Sequence, residues 1–185
     1  LLRKPAILVG NKRWKIYEER ANEEALDTET LPLYNLAMLP EVKSVLEVGC
    51  GYGRLLRPLA GFRHLERVVG FDFSNSQLEN AQKYLKDFDI TLVAHNLWYG
   101  NPPCVIAHQI GGYDLVFTHG VLTHVPPFQI KEALTQLRYF SGKYIVLIEF
   151  ELREGQEIKT FEEIRYNEIG QYMAAGDTDT WAYDF

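Results

Sequence analysis

Cysteine is scarce in this 185-residue chain: Cys50 and Cys104 are the only two, too few for a disulfide framework or a thiolate cluster. No apolar run approaches the ~20 residues that span a bilayer. Leu1–Gly10 lacks the apolar core and cleavage site of a secretory leader. These absences point to a cytoplasmic protein with no membrane partner. Positive charge is not in excess either. Nineteen Lys and Arg against 25 Asp and Glu leave a net charge of −6 and a pI near 5.4. Nucleic-acid binders carry a basic face, so this balance argues against such a partner. No His, Cys and carboxylate set has metal-ligand spacing, and no metal is expected. Internal repeats and low-complexity tracts are missing. The first residue is Leu1, not Met, so the natural N-terminus is expected to lie upstream.

What is present fits one globular domain. Apolar residues make up 46% and charged residues 24%, and the length supports a single sizeable core. Residues 1–41 are expected to form an N-terminal helical segment. It holds a surface helix over Arg13–Leu26 and a short helix over Leu33–Leu39, and it is placed to cover a bound ligand as a lid. From Val42 the pattern alternates. Strands are expected at Ser44–Val48, Arg67–Phe71, Ile90–Ala94, Tyr113–Thr118 and Tyr144–Phe150. A short helix is expected at Arg54–Ala60. Ser74 opens a second helix in a capping box with Gln77, burying Leu78, Ala81 and Leu85. Pro126 and Pro127 open a third, with Ile130, Ala133, Leu134 and Leu137 as its buried stripe. Five strands separated by helices imply a doubly wound α/β domain, a parallel sheet in a three-layer αβα sandwich. The fifth strand is apolar nearly throughout, as in a strand covered on both faces. Beyond it, a helix near Phe161–Met173 and a sixth strand at Thr180–Phe185 are expected.

The strongest local signal is Val45–Arg54, VLEVGCGYGR, lying between a strand and a helix. Gly49, Gly51 and Gly53 let the backbone turn tightly and approach a ligand closely. The spacing is G-x-G-x-G. A dinucleotide fingerprint needs glycine where Arg54 stands, and no P-loop Gly-Lys follows, so pyrophosphate ligands are disfavoured. Asp72 ends the second strand, 19 residues after Gly53. A carboxylate there accepts hydrogen bonds from a free ribose diol.

Together, the glycine motif Glu47–Gly53, the acidic strand end Gly70–Ser74 and the stretch YDLVFTHGVLTHVPP from Tyr113 resemble the class I S-adenosylmethionine-dependent methyltransferases. The likeness covers roughly Val42 to Phe150. It implies a Rossmann-like methyltransferase fold with S-adenosylmethionine as cofactor and S-adenosylhomocysteine as product. Glu47, Gly49, Cys50, Gly51 and Gly53 would hold the methionine part, Asp72 the ribose, and Phe73 the adenine. Asn96 and Leu97 would read the adenine edge, with Asn96 replacing the commoner Asp. Thr118, His119 and Gly120 would lie beneath the methyl group. The family closes its sheet with an antiparallel strand pair. This chain stops within that pair, so either it continues further or another chain completes the sheet edge as an oligomer.

Several residues near the same edge are candidates for chemistry. His119 is placed to take a proton from an acceptor O–H or N–H, and His124 lies close by. Glu149 and Glu151 end the fifth strand and are candidates to orient a polar acceptor. Tyr52, Trp98 and Tyr99 are candidate pocket walls. Asn101-Pro102-Pro103-Cys104 is similar to an Asn-Pro-Pro-aromatic motif of amino-group methyltransferases, but it precedes the fourth strand and lacks the aromatic, so it is read as a loop. The expected function is methyl transfer to an O or N nucleophile of a small molecule. The alternatives are a non-catalytic cofactor-binding or regulatory subunit, and a methyltransferase acting on protein or RNA.

Overall fold

Ser44–Val48, with β-branched Val45 and Val48 around Leu46, forms β1, buried at every position. In the computed structural model, which describes residues 30–97, 103, 106 and 112–149, β1 lies at the centre of a five-stranded sheet. Its neighbours are β2 (Arg67–Asp72), β3 (Thr91–Ala94), β4 (Tyr113–His119) and β5 (Ser141–Ile148). The order is β3-β2-β1-β4-β5 and every pairing is parallel. Strand order therefore reverses between β1 and β4, which opens a crevice at their carboxyl ends.

Alternation along the strands supplies two cores. Val45, Val68, Leu115 and Phe117 face one side, against α1 (Leu31–Ala37), α2 (Leu56–Leu59) and α3 (Asn75–Tyr84). Leu46, Val48, Val69, Phe71 and Val116 face the other, against α4 (Ile130–Phe140). Burial on both faces accounts for the apolar runs in β1, β2 and β4. Ser74 caps α3, its hydroxyl accepting from the Gln77 backbone N–H at 3.4 Å, but its own N–H donates to Asp72 Oδ1, so the expected capping box is half formed.

Three boundaries and one buried stripe differ from the sequence reading. The first helix begins at Leu31, before Pro32, because proline in a first turn removes only an N–H that has no helical partner. α2 is shorter than Arg54–Ala60, since the glycine turn runs on through Arg54 and Leu55 is the cap. In α4, Ala133, Leu137 and Phe140 are buried, while Ile130 and Leu134 are only partly so. β5 starts at Ser141, directly after α4, instead of at Tyr144. Gly112 makes this possible: a Cβ there would sit 2.7 Å from both the Phe140 carbonyl and the Gly142 nitrogen, so a side chain would push the two segments apart.

β5 also lacks the cover expected on both faces. Tyr144, Val146 and Ile148 pack on the core beneath α1 to α3, whereas Ile145 and Leu147 are 39% and 36% exposed. The expected helices at Arg13–Leu26 and Phe161–Met173 and the strand at Thr180–Phe185 fall outside the described residues. Among the described residues, no helix is long and apolar enough to cross a membrane.

At the amino ends of β1, β4 and β5, far from the crevice, one carboxylate ties the sheet together. Asp114 accepts from the Lys43 and Ser44 backbone N–H groups at 2.8 and 3.0 Å and pairs with Lys143 at 2.7 Å.

Candidate functional site

The turn after β1 is built from three left-handed glycines, with φ of 70° at Gly49, 54° at Gly51 and 86° at Gly53. Only glycine occupies that region without strain. The turn is fastened to β2: the Gly49 and Cys50 N–H groups both donate to the Phe71 carbonyl, at 2.8 and 2.9 Å. At Gly51 an added Cβ would meet nothing nearer than the Gln77 side chain at 3.8 Å. The backbone at Gly51 thus faces open space, where a ligand can come close. At Gly49 an added Cβ would collide with the Val121 side chain, from the segment after β4.

Two buried carboxylates flank this turn. Asp72 is 7% exposed at the end of β2. Its Oδ2 accepts from Gly51 N–H at 2.9 Å and its Oδ1 from Ser74 N–H at 2.8 Å. With the Phe73 N–H as a third donor, about one of the roughly four lone-pair sites of the carboxylate stays open. Burial pushes its carboxyl above the ordinary value, while the N–H groups of Ser74, Gly51 and Phe73 draw it back. Glu47, on β1, is 3% exposed and its Oε2 has no hydrogen-bond partner among the described residues. Burial raises its carboxyl well above the ordinary range; Arg54 counters this and Asp72 adds to it. A buried carboxylate oxygen without a partner is costly unless a ligand donor reaches it.

The end of β4 brings a second group to the same edge. Thr118 is fully buried and registers with Val48, and His119 follows it. Arg54 Nη2 lies 3.4 Å from His119 Nε2. A guanidinium has donors only, so Nε2 is the acceptor in this contact. The sequence reading does not place Arg54 in the site; a cation just before a helix start runs against the helix dipole, and that is the signal it carries.

Glu149 follows β5, and its carboxylate faces the backbone after β4. Oε1 accepts from Val121 N–H at 3.2 Å, and Oε2 from Leu122 and Thr123 N–H at 3.0 and 3.4 Å. Burial raises this carboxyl, and those three N–H groups offset part of the rise. Of the other expected residues, Cys50 is buried within the turn, Phe73 and Tyr52 are half-buried beside it, and Leu97 is buried beyond β3 with Asn96 next to it. Phe73, Asn96 and Leu97 follow the carboxyl ends of β2 and β3, where Asp72 registers with Ala94. Trp98, Tyr99, Asn101, Pro102, Cys104 and Glu151 lie outside the described residues.

The donors and acceptors here fit an adenosine carrying an amino-acid tail. The Glu47 oxygen without a partner among the described residues suits an ammonium, the remaining capacity of Asp72 suits a ribose hydroxyl, and the open face of Gly51 suits close approach. A family model described as a methyltransferase domain matches residues 46–140. Solved structures with this fold include magnesium protoporphyrin IX methyltransferase from Synechocystis PCC 6803 with bound S-adenosylmethionine. It is 18% identical, with a TM-score of 0.59, over 80% of this chain and 77% of that one. Another is phosphoethanolamine N-methyltransferase 1 from Haemonchus contortus with S-adenosylhomocysteine, 18% identical, TM-score 0.61, over 98% of this chain but 39% of that one. The methyltransferase domain of bacterial CtHen1-CN is 26% identical, TM-score 0.53, over 69% of this chain and 65% of that one. With a methyltransferase-domain match across half its length and the corresponding sheet, this chain belongs to the class I methyltransferases, the enzymes whose cofactor is S-adenosylmethionine.

Proposed function

We propose that the chain transfers a methyl group to an O or N nucleophile of a small molecule, with His119 as the proton acceptor. The observation that carries this reading is the placement of His119 at the carboxyl end of β4, one strand from the glycine turn and in contact with Arg54. When bound, S-adenosylmethionine supplies a methyl group on a good sulfonium leaving group. The protein's contribution is then alignment, exclusion of water and removal of one proton. Glu47 anchors the amino end of the cofactor and Asp72 the ribose. Phe73, Asn96 and Leu97 line the adenine end. His119 accepts the acceptor's proton at Nε2 once the incoming molecule has displaced the Arg54 donor from that nitrogen. The net charge of −6 favours a small acceptor over a nucleic acid.

The test does not require a named substrate. The protein is incubated with methyl-labelled cofactor and a cell metabolite extract, and label transfer is followed. His119→Ala should keep cofactor affinity within a few-fold and lower transfer by ~10²-fold or more. Equal transfer by variant and wild type would remove His119 from the chemistry. Tight cofactor binding with no transfer by the wild type would favour a regulatory cofactor-binding subunit instead.

A further inference from the structure

Glu149 has the position of a catalytic carboxylate and the hydrogen bonds of a structural one. Of the roughly four lone-pair sites on a carboxylate, three are taken by the consecutive N–H groups of Val121, Leu122 and Thr123. A carboxylate so engaged has little hydrogen-bonding capacity left for an acceptor molecule. What it grips is informative. The Val121 side chain lies directly over Gly49, where even a single added carbon would collide with it. The segment between β4 and Val121 is also tied to β5, since Gly120 N–H donates to the Ile148 carbonyl at 2.8 Å. The end of β5 thus holds the post-β4 segment at two adjacent points, and that segment covers the first glycine of the turn.

We propose that Glu149 is a positioning residue of the cofactor site: by gripping the 121–123 backbone it seats Val121 on Gly49 and holds the glycine turn in its ligand-ready shape. This rests on reading that turn as the cofactor cradle. Glu149 itself touches neither the cofactor nor the acceptor. Its influence passes through one backbone N–H and one valine side chain. Sequence position alone suggests an acceptor-orienting role, because the partners lie 26 to 28 residues away in the chain.

Glu149→Gln separates the contacts. The amide has one carbonyl oxygen, and the arrangement that satisfies more donors puts it at Oε2, which serves both Leu122 and Thr123. The NH2 group then faces Val121 N–H, so the substitution releases Val121 in particular. Binding of S-adenosylhomocysteine is measured by calorimetry for wild type, Glu149→Gln, Val121→Ala and the double variant. Each ligand-free protein is first shown by its thermal midpoint to be folded at the assay temperature. Glu149→Gln should weaken binding by ~10-fold, the usual consequence of stranding one buried donor. Because both single changes act on the seating of Val121 over Gly49, the double variant should bind about as weakly as the worse single one. Binding by Glu149→Gln within twofold of wild type would overturn the proposal, even if its midpoint falls. So would losses that multiply in the double variant. A wild-type protein that does not bind the ligand would overturn the cradle reading and this inference with it; binding by wild type alone separates the two failures.

Discussion

Glu47→Gln is the most discriminating change in the cofactor site, because it should move stability and affinity in opposite directions. In the ligand-free protein the Glu47 carboxyl is 3% exposed, and its Oε2 has no hydrogen-bond partner among the described residues. Desolvation is the largest influence on it and outweighs the attraction of Arg54, so its titration lies well above the ordinary carboxylate range. An acid with a raised value in the folded state holds its proton longer than the unfolded chain does. Its unfavourable contribution therefore grows as pH rises from the ordinary carboxylate value to the raised one, and stays constant above that. Glutamine carries no such cost. At neutral pH the ligand-free variant should melt higher; ~1 kcal/mol corresponds to roughly 2–4 °C in a domain of this size. Binding should respond the other way. A ligand ammonium placed at Oε2 gains a charge-assisted hydrogen bond worth ~1.5–3 kcal/mol. Water has little access to replace that partner, so the upper half of the range applies, a loss of ~40- to 150-fold in affinity. The wild-type carboxyl must also release its proton to pair with the ammonium. Affinity for S-adenosylhomocysteine should therefore climb with pH through the window above the ordinary carboxylate value. Calorimetry in two buffers of different ionisation enthalpy would register the released proton. Equal affinity of wild type and Glu47→Gln, or binding without proton release across that window, would refute the assignment of Glu47 to the ammonium.

Asp72→Asn leaves one of two buried N–H donors, Gly51 or Ser74, facing an amide NH2. It should lower both the thermal midpoint and cofactor affinity, the latter by ~10-fold or more; unchanged affinity would misplace the ribose. Gly51→Ala should separate the two properties. The added carbon has room in the ligand-free fold but a φ of 54°, so a stability loss of ~1–2 kcal/mol should accompany a much larger loss of cofactor binding, read by calorimetry. Asp114→Asn should lower the thermal midpoint at pH 7 and leave cofactor affinity unchanged. Burial raises the Asp114 carboxyl, but Lys143 and the N–H groups of Lys43 and Ser44 outweigh it and hold it below the ordinary value. Its stabilisation is present above the ordinary carboxylate value and lost as pH falls through the lowered one. The gap between wild type and variant should therefore close in acid; a pH-independent gap would count against this account.

Local chemistry was legible in the sequence wherever a short stretch carries its own geometric demand. Three alternating glycines between a strand and a helix require a left-handed turn. Asp72 at a strand end requires a donor set at the same edge, and Ser74 ahead of Gln77 requires a helix start. Parallel order followed from the alternation of strands and helices, because a crossover connection permits little else.

Tertiary structure decided what depends on distance along the chain. The start of β5 at Ser141 is set by Gly112, through a backbone approach that leaves no periodic trace. The exposure of Ile145 and Leu147 reflects β5 being the last strand in the described sheet, and an apolar run does not say what covers it. Arg54 meets His119 across 65 residues. Glu149 reaches the 121–123 backbone across 26 to 28. Backbone N–H groups are identical at every non-proline residue, so sequence cannot mark which of them a carboxylate will find. The pattern of residue types placed the carboxylates, the glycines and the histidine at one edge of the sheet. Only the packed chain determined which of them is left with an open hydrogen-bonding site, and that follows from burial, which belongs to the whole fold and not to any residue within it.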